Sequence, residues 1–193
     1  MTFALTLAEV GELKPCADRY AYARKHLPAD TAITAAQAKV AGVTFGDLAW
    51  LASAQARKDP AVERAVRLWL ADCAAHVLHI FYKVAPADLR PAHAIEAART
   101  FASGEIGDAA RDAARAAARA AAGAAARGAA WNAAGDAARA AAGAAARAAA
   151  RGAAWDAAWH AAWDAESEWQ FGRLVLWLSD DEPEALPLPE PGA

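Results

Sequence analysis

Four side chains in one short stretch, Asp72, Cys73, His76 and His79, have the chemistry to ligate a metal. Asp72, His76 and His79 stand at i, i+4 and i+7, which places three donors on one stripe of a helix. Zinc needs a closed tetrahedral set, or three ligands and an open position, and no second Cys or His group stands nearby in the sequence. Cys73 also fits an apolar helix face, where a free cysteine behaves as a small hydrophobe. Nucleophilic catalysis has less to recommend it. Ser53, Ser103, Ser167 and Ser179 lie in no Gly-x-Ser-x-Gly turn. The acidic pairs Asp180/Asp181 and Glu182/Glu184 fall in a solvated terminal stretch, not in a cleft that would tune them for acid–base work. Glycines are scattered singly, so there is no phosphate-cradling loop. The expectation is a non-enzymatic chain with no catalytic residue, no metal and no cofactor.

Binding chemistry is better represented. Arg111, Arg115, Arg119, Gly123, Arg127, Trp131, Gly135, Arg139, Gly143, Arg147, Arg151, Trp155, Trp159 and Trp163 keep a four-residue phase, with alanine at most positions between them. Alanine has the highest helix propensity, so helix is the expected state. Four residues overshoot one helical turn by about 40°, so the bulky side chains wind around the axis instead of forming one straight stripe. Trp155, Trp159 and Trp163 span only about 80° and make a local apolar strip. Such a strip is either core, packed on residues 45–81, or an anchor for a protein partner, since tryptophan is enriched at interface hot spots. The arginine ladder offers phosphate contacts, but its spiral spreads the charge. Trp155, Trp159 and Trp163 with Arg111, Arg115 and Arg119 are the expected partner-binding residues. Nucleic-acid association and self-assembly through alanine faces are the alternatives.

Three regions must position these groups. Residues 1–107 have the mixed apolar composition of a helical bundle, residues 108–180 hold the alanine-rich repeat and an aromatic segment, and residues 181–193 form a proline-rich acidic tail. In the first region a helix from Ala17 ends before Pro28. Asp30 or Thr31 opens a second helix through Val40, stopped by Gly42. Thr44 precedes a third in which Phe45, Leu48 and Leu51–Ala52 recur at helical spacing. Asp59 and Pro60 open a long helix whose expected buried face is Val62, Val66, Leu70, Cys73, Val77, Ile80 and Phe81. Arg90-Pro91 opens another through Ala102, with Gly104 as its stop. Strict strand alternation is missing, which makes the fold class all-α. Gly128 and Gly152 mark positions where the repeat would break into two or three helices, each costing roughly 1 kcal/mol against alanine.

Composition bounds the rest. The chain has 193 residues, a net charge of −3 and only two cysteines. That charge is unlike the strong basicity of a dedicated nucleic-acid binder. Two cysteines cannot make a disulfide framework and suit a reducing compartment. Met1 to Val10 carries no basic side chain, as a secretory leader would, and no run of about 18 uncharged apolar residues is present. A cytoplasmic location away from membranes is expected.

The stretch Arg90-Pro-Ala-His-Ala-Ile-Glu-Ala-Ala-Arg99, then Phe101-Ala-Ser-Gly-Glu-Ile106 and an alanine-rich helix, resembles a family of immunity proteins common in phage and bacterial genomes. Cys16-Ala-Asp-Arg19, Asp47-Leu-Ala-Trp-Leu51 and the segment around Cys73 are similar to that family's N-terminal half, so the likeness covers roughly residues 12–165. The resemblance implies an all-α fold and a non-catalytic role in binding a protein partner, either a toxin or a host or phage factor. His93 stands where relatives often carry lysine or another residue, so the resemblance lends it no essential role.

Overall fold

The computed structural model describes residues 3–83, 85–107, 109–110, 112–113, 116, 119 and 145–190; for 145–160 the description is of the backbone. Among these residues the architecture is all-α, as the sequence implies. The elements are β1 (Ala4–Leu5), α1 (Leu7–Glu12), α2 (Ala17–His26), β2 (Ile33–Thr34), α3 (Ala35–Val40), α4 (Phe45–Gln55), α5 (Pro60–Tyr82), α6 (Arg90–Ala102) and α7 (Ala145–Trp177). Most of the tetrad repeat before Ala145, including Gly128, lies outside the described residues.

Helix starts follow local side-chain chemistry. Thr6, Thr34 and Thr44 each form a reciprocal capping box, with Glu9, Gln37 and Asp47 respectively. Asp59 caps α5 by accepting from the Ala61 amide at 2.9 Å, and Pro60 occupies the first helical position. The cap of α3 is thus Thr34, not Asp30 or Thr31. The reason is that Ile33–Thr34 are extended and paired, Leu5 with Ile33 and Ala4 with Thr34, so helix cannot begin earlier. Gly42 and Gly104 stop α3 and α6 in the left-handed conformation, φ +82° for both. At Gly42 a β-carbon would also stand 2.8 Å from the Tyr22 hydroxyl.

A second correction concerns α7. It runs unbroken for 33 residues, about 50 Å at 1.5 Å per residue, and passes through Gly152. One glycine costs a helix roughly 1 kcal/mol, too little to end one built mostly from alanine and other good helix formers.

The chain forms two compact units. The first contains residues 1–72 and 167–185, the second residues 73–166 and 186–193. In the first unit the core is built on Leu48, Val62, Leu174 and Leu178, all essentially inaccessible to water. Phe45 packs against Trp69 and Phe171, with ring centroids 5.9 Å apart in each case. The Phe3 amide donates to the Leu178 carbonyl at 3.0 Å, fastening the N-terminal strand to the end of α7. In the second unit Ala75, Leu78, Tyr82, Ala92 and Ile95 are buried.

The face that α5 buries is not the expected one. Val62 and Val66 are buried as foreseen, but Leu70, Val77 and Ile80 are exposed and Cys73 and Phe81 are only part-buried. The buried stripe instead runs through Val62, Ala65, Trp69, Asp72, Ala75, Leu78 and Tyr82. It is centred on a carboxylate, which apolar counting excludes. No described helix is long and apolar enough to cross a membrane.

Candidate functional site

The residues with metal-ligating chemistry, Asp72, His76 and His79, have other contacts. Asp72 is fully buried in the first unit and accepts hydrogen bonds from Arg173 Nε and Trp177 Nε1, each at 2.8 Å. The Arg173 guanidinium also reaches the Asp72 carboxylate as an ion pair at 2.6 Å. A buried carboxylate so paired has its charge compensated and its lone pairs satisfied, which is what burial of a charge demands. In the second unit His76 Nε2 lies 3.2 Å from Glu166, and His79 Nδ1 lies 2.9 Å from the His76 carbonyl. Among the described residues no group of three or more His, Cys, Asp or Glu side chains is arranged to hold a metal ion.

The second unit carries apolar surface, as the first does at Val40, Trp50, Leu70 and Leu176. Val77 is 39% exposed and Ile80 55%, on the face of α5 turned away from the core, and Trp163 on α7 is 64% exposed. Large apolar side chains open to water become informative when several lie close together. The His76–Glu166 contact brings the α7 turn just after Trp163 beside the α5 turn that carries Val77. Alternation along α5 explains the exposure. Residues 75, 78 and 82 point into the core, so 77 and 80 must point out.

The expected partner-binding residues are placed unevenly. Trp163 is open to solvent, so in its case burial against residues 45–81 does not occur. The aromatic residues that do fill the core, Phe171 and Trp177, come two to four turns later on the same helix. Arg119 is helical and exposed. Arg111 and Arg115 lie outside the described residues, as do the side chains of Trp155 and Trp159, although α7 carries the backbone of both tryptophans. Val77 and Ile80 are missed as surface residues because the expected face of α5, Val62 through Phe81, is phased on apolar residue types alone. Two buried indole donors and a distant arginine, Trp69, Trp177 and Arg173, were the signal that the true phase includes a polar position.

Elsewhere in the first unit, Arg19 on α2 grips Asp47 on α4, with both carboxylate oxygens 3.0 Å from Arg19 Nε. Burial pushes the Asp47 carboxyl up, but hydrogen bonds from Arg19 and Thr44 outweigh it and hold the group below the ordinary aspartate range. Lys39 pairs with Glu168 at 2.6 Å and lies over the Phe171 ring, while Arg64 pairs with Glu182 at 2.7 Å.

No curated protein matches the chain, and no solved structure does. A family model described as Imm-5 like putative immunity protein matches residues 59–172, more than half of the chain. The match takes in α5, α6 and most of α7, and with them Val77, Ile80 and Trp163. On that span, the chain belongs to the Imm-5 like family of immunity proteins.

Proposed function

We propose that this protein acts in the cytoplasm by binding one partner protein, a toxin, and covering its working surface stoichiometrically and without turnover. The observation that carries the reading is the exposure of Trp163, Val77 and Ile80 inside the span that matches the immunity family. A tryptophan anchor flanked by aliphatic side chains supplies the desolvated centre that interface energetics require. Trp155 and Trp159 fall within about 80° of Trp163 around the helix axis by their phase in the repeat, and Arg111, Arg115 and Arg119 are proposed as further, charged contacts to the partner.

The test is protection from a toxin encoded at the same locus. The wild-type chain is expected to restore growth, and purified protein to saturate inhibition at one equivalent. Trp163→Ala and Ile80→Ser should lose protection while keeping the wild-type helical circular dichroism. Full protection by both variants would remove this surface from the mechanism. Protection at well below one equivalent would rule out occlusion.

A further inference from the structure

A cavity of about 250 Å³ lies in the first unit, walled by the N-terminal strand, α2, β2, α3 and α4. Phe3, Leu5, Ala23, Ile33, Ala38 and Leu48 give it an apolar interior. Its ionisable lining is different in kind. Arg19 and Asp47 neutralise each other, whereas Lys14, a lining residue exposed to solvent, has no carboxylate partner among the described residues. The wall therefore carries one cation in excess beside a pocket of hydrocarbon.

Lys14 is also held in place by backbone. It is the one non-glycine residue with positive φ among those described, at +57°, and its amide donates to the Gly11 carbonyl at 3.0 Å. That conformation is costly for a lysine, and more so immediately before Pro15, where the chain prefers to be extended. Residues kept in sparsely populated conformations concentrate at ligand clamps.

We infer that this cavity binds a small amphipathic anion, a carboxylate with an aliphatic tail, with the tail inside and the head group on Lys14. A cavity of about 150 Å³ holds a six-carbon ring, so 250 Å³ corresponds to about ten non-hydrogen atoms, the size of an eight-carbon acid. The site lies wholly within residues 3–51, outside the span 59–172 of the family match, and does not rest on the partner-binding reading.

The probes are octanoate, octanol and octylamine at equal concentration, read by calorimetry and by amide chemical shifts in the full chain. Octanoate is expected to bind at one equivalent, to shift the amides of Leu5 and Leu48, and to bind more tightly than octanol and octylamine. Lys14→Asn removes the charge and keeps a residue that tolerates left-handed backbone, and should weaken octanoate by about threefold to fivefold without changing octanol. Ala23→Phe fills the cavity and should abolish both. Absence of octanoate binding, equal or tighter binding of octylamine, or octanoate affinity unchanged by Lys14→Asn would each overturn the assignment. The Lys14 substitution stands as a test even if Ala23→Phe fails to fold.

Discussion

The two units differ in what they hide. The first buries a carboxylate, Asp72, under Arg173 and Trp177, and packs Phe45 against Trp69 and Phe171. Both leave large apolar side chains in water, Val40, Trp50, Leu70 and Leu176 in the first and Val77, Ile80, Leu89 and Trp163 in the second. One helix, α5, contributes to both. Its first half contributes to a core that draws in the last turns of α7 while exposing Leu70, and its second half exposes Val77 and Ile80. A buried, fully partnered charge is a structural device here, and the exposed aliphatic and indole groups of the second unit are the ones proposed to bind a partner.

The sharpest way to break this contrast is Asp72→Ala. Removing one partner leaves the Arg173 charge uncompensated, which should cost about 3–5 kcal/mol in urea denaturation. The double change Asp72→Leu with Arg173→Met should recover part of that loss, because an apolar pair replaces a buried ion pair with little penalty while the buried Trp177 Nε1 still loses its acceptor. If Asp72→Ala melts like the wild type, the first unit is not built around this group.

A smaller loss is expected at the capping boxes. Thr44→Ala should cost about 1 kcal/mol, since it frees the Asp47 amide and removes a hydrogen bond to the Asp47 carboxylate. Acid should act on the same contacts. Glu9 is held below its ordinary pKa by hydrogen bonds from Thr6, Asp47 by those from Arg19 and Thr44 against an opposing effect of burial, and Asp88 by Arg90. A depressed folded pKa means stability that is fully present above the unfolded value and is lost as pH falls through the folded one. Denaturation midpoints should therefore be flat near neutrality and drop below the usual carboxylate range. Asp47→Asn should flatten part of that drop.

The smallest effect belongs to the exposed residues. Ile80→Ser should change stability by no more than about 0.5 kcal/mol, as surface substitutions do. A loss of several kcal/mol on thermal or urea melting would mean that Ile80 is part of a core, and the contrast between the units would fail.

Much of the helical framework was legible because it is written locally. Thr44 with Asp47, Asp59 with Pro60, Arg90-Pro91 and the stops at Gly42 and Gly104 act within a turn of their own position. The start of α3 was misplaced because Ile33–Thr34 is held extended by Leu5, a residue far away in the chain. The burial phase of α5 was misplaced for a related reason. Apolar periodicity cannot register an aspartate at the centre of a buried stripe when its partners, Arg173 and Trp177, lie about a hundred residues further on.

By itself, the order of amino acids determined that this chain is helical, where several of its helices begin and end, and which family it resembles. Those properties depend on propensity, capping and motif spacing, all of which act over a few residues. Only the tertiary structure decided which side of α5 meets water, that Asp72 is a tie and not a ligand, and that Trp163 is open while Trp177 is core. Burial is a property of the partner as much as of the residue, and partners are chosen by the folded chain.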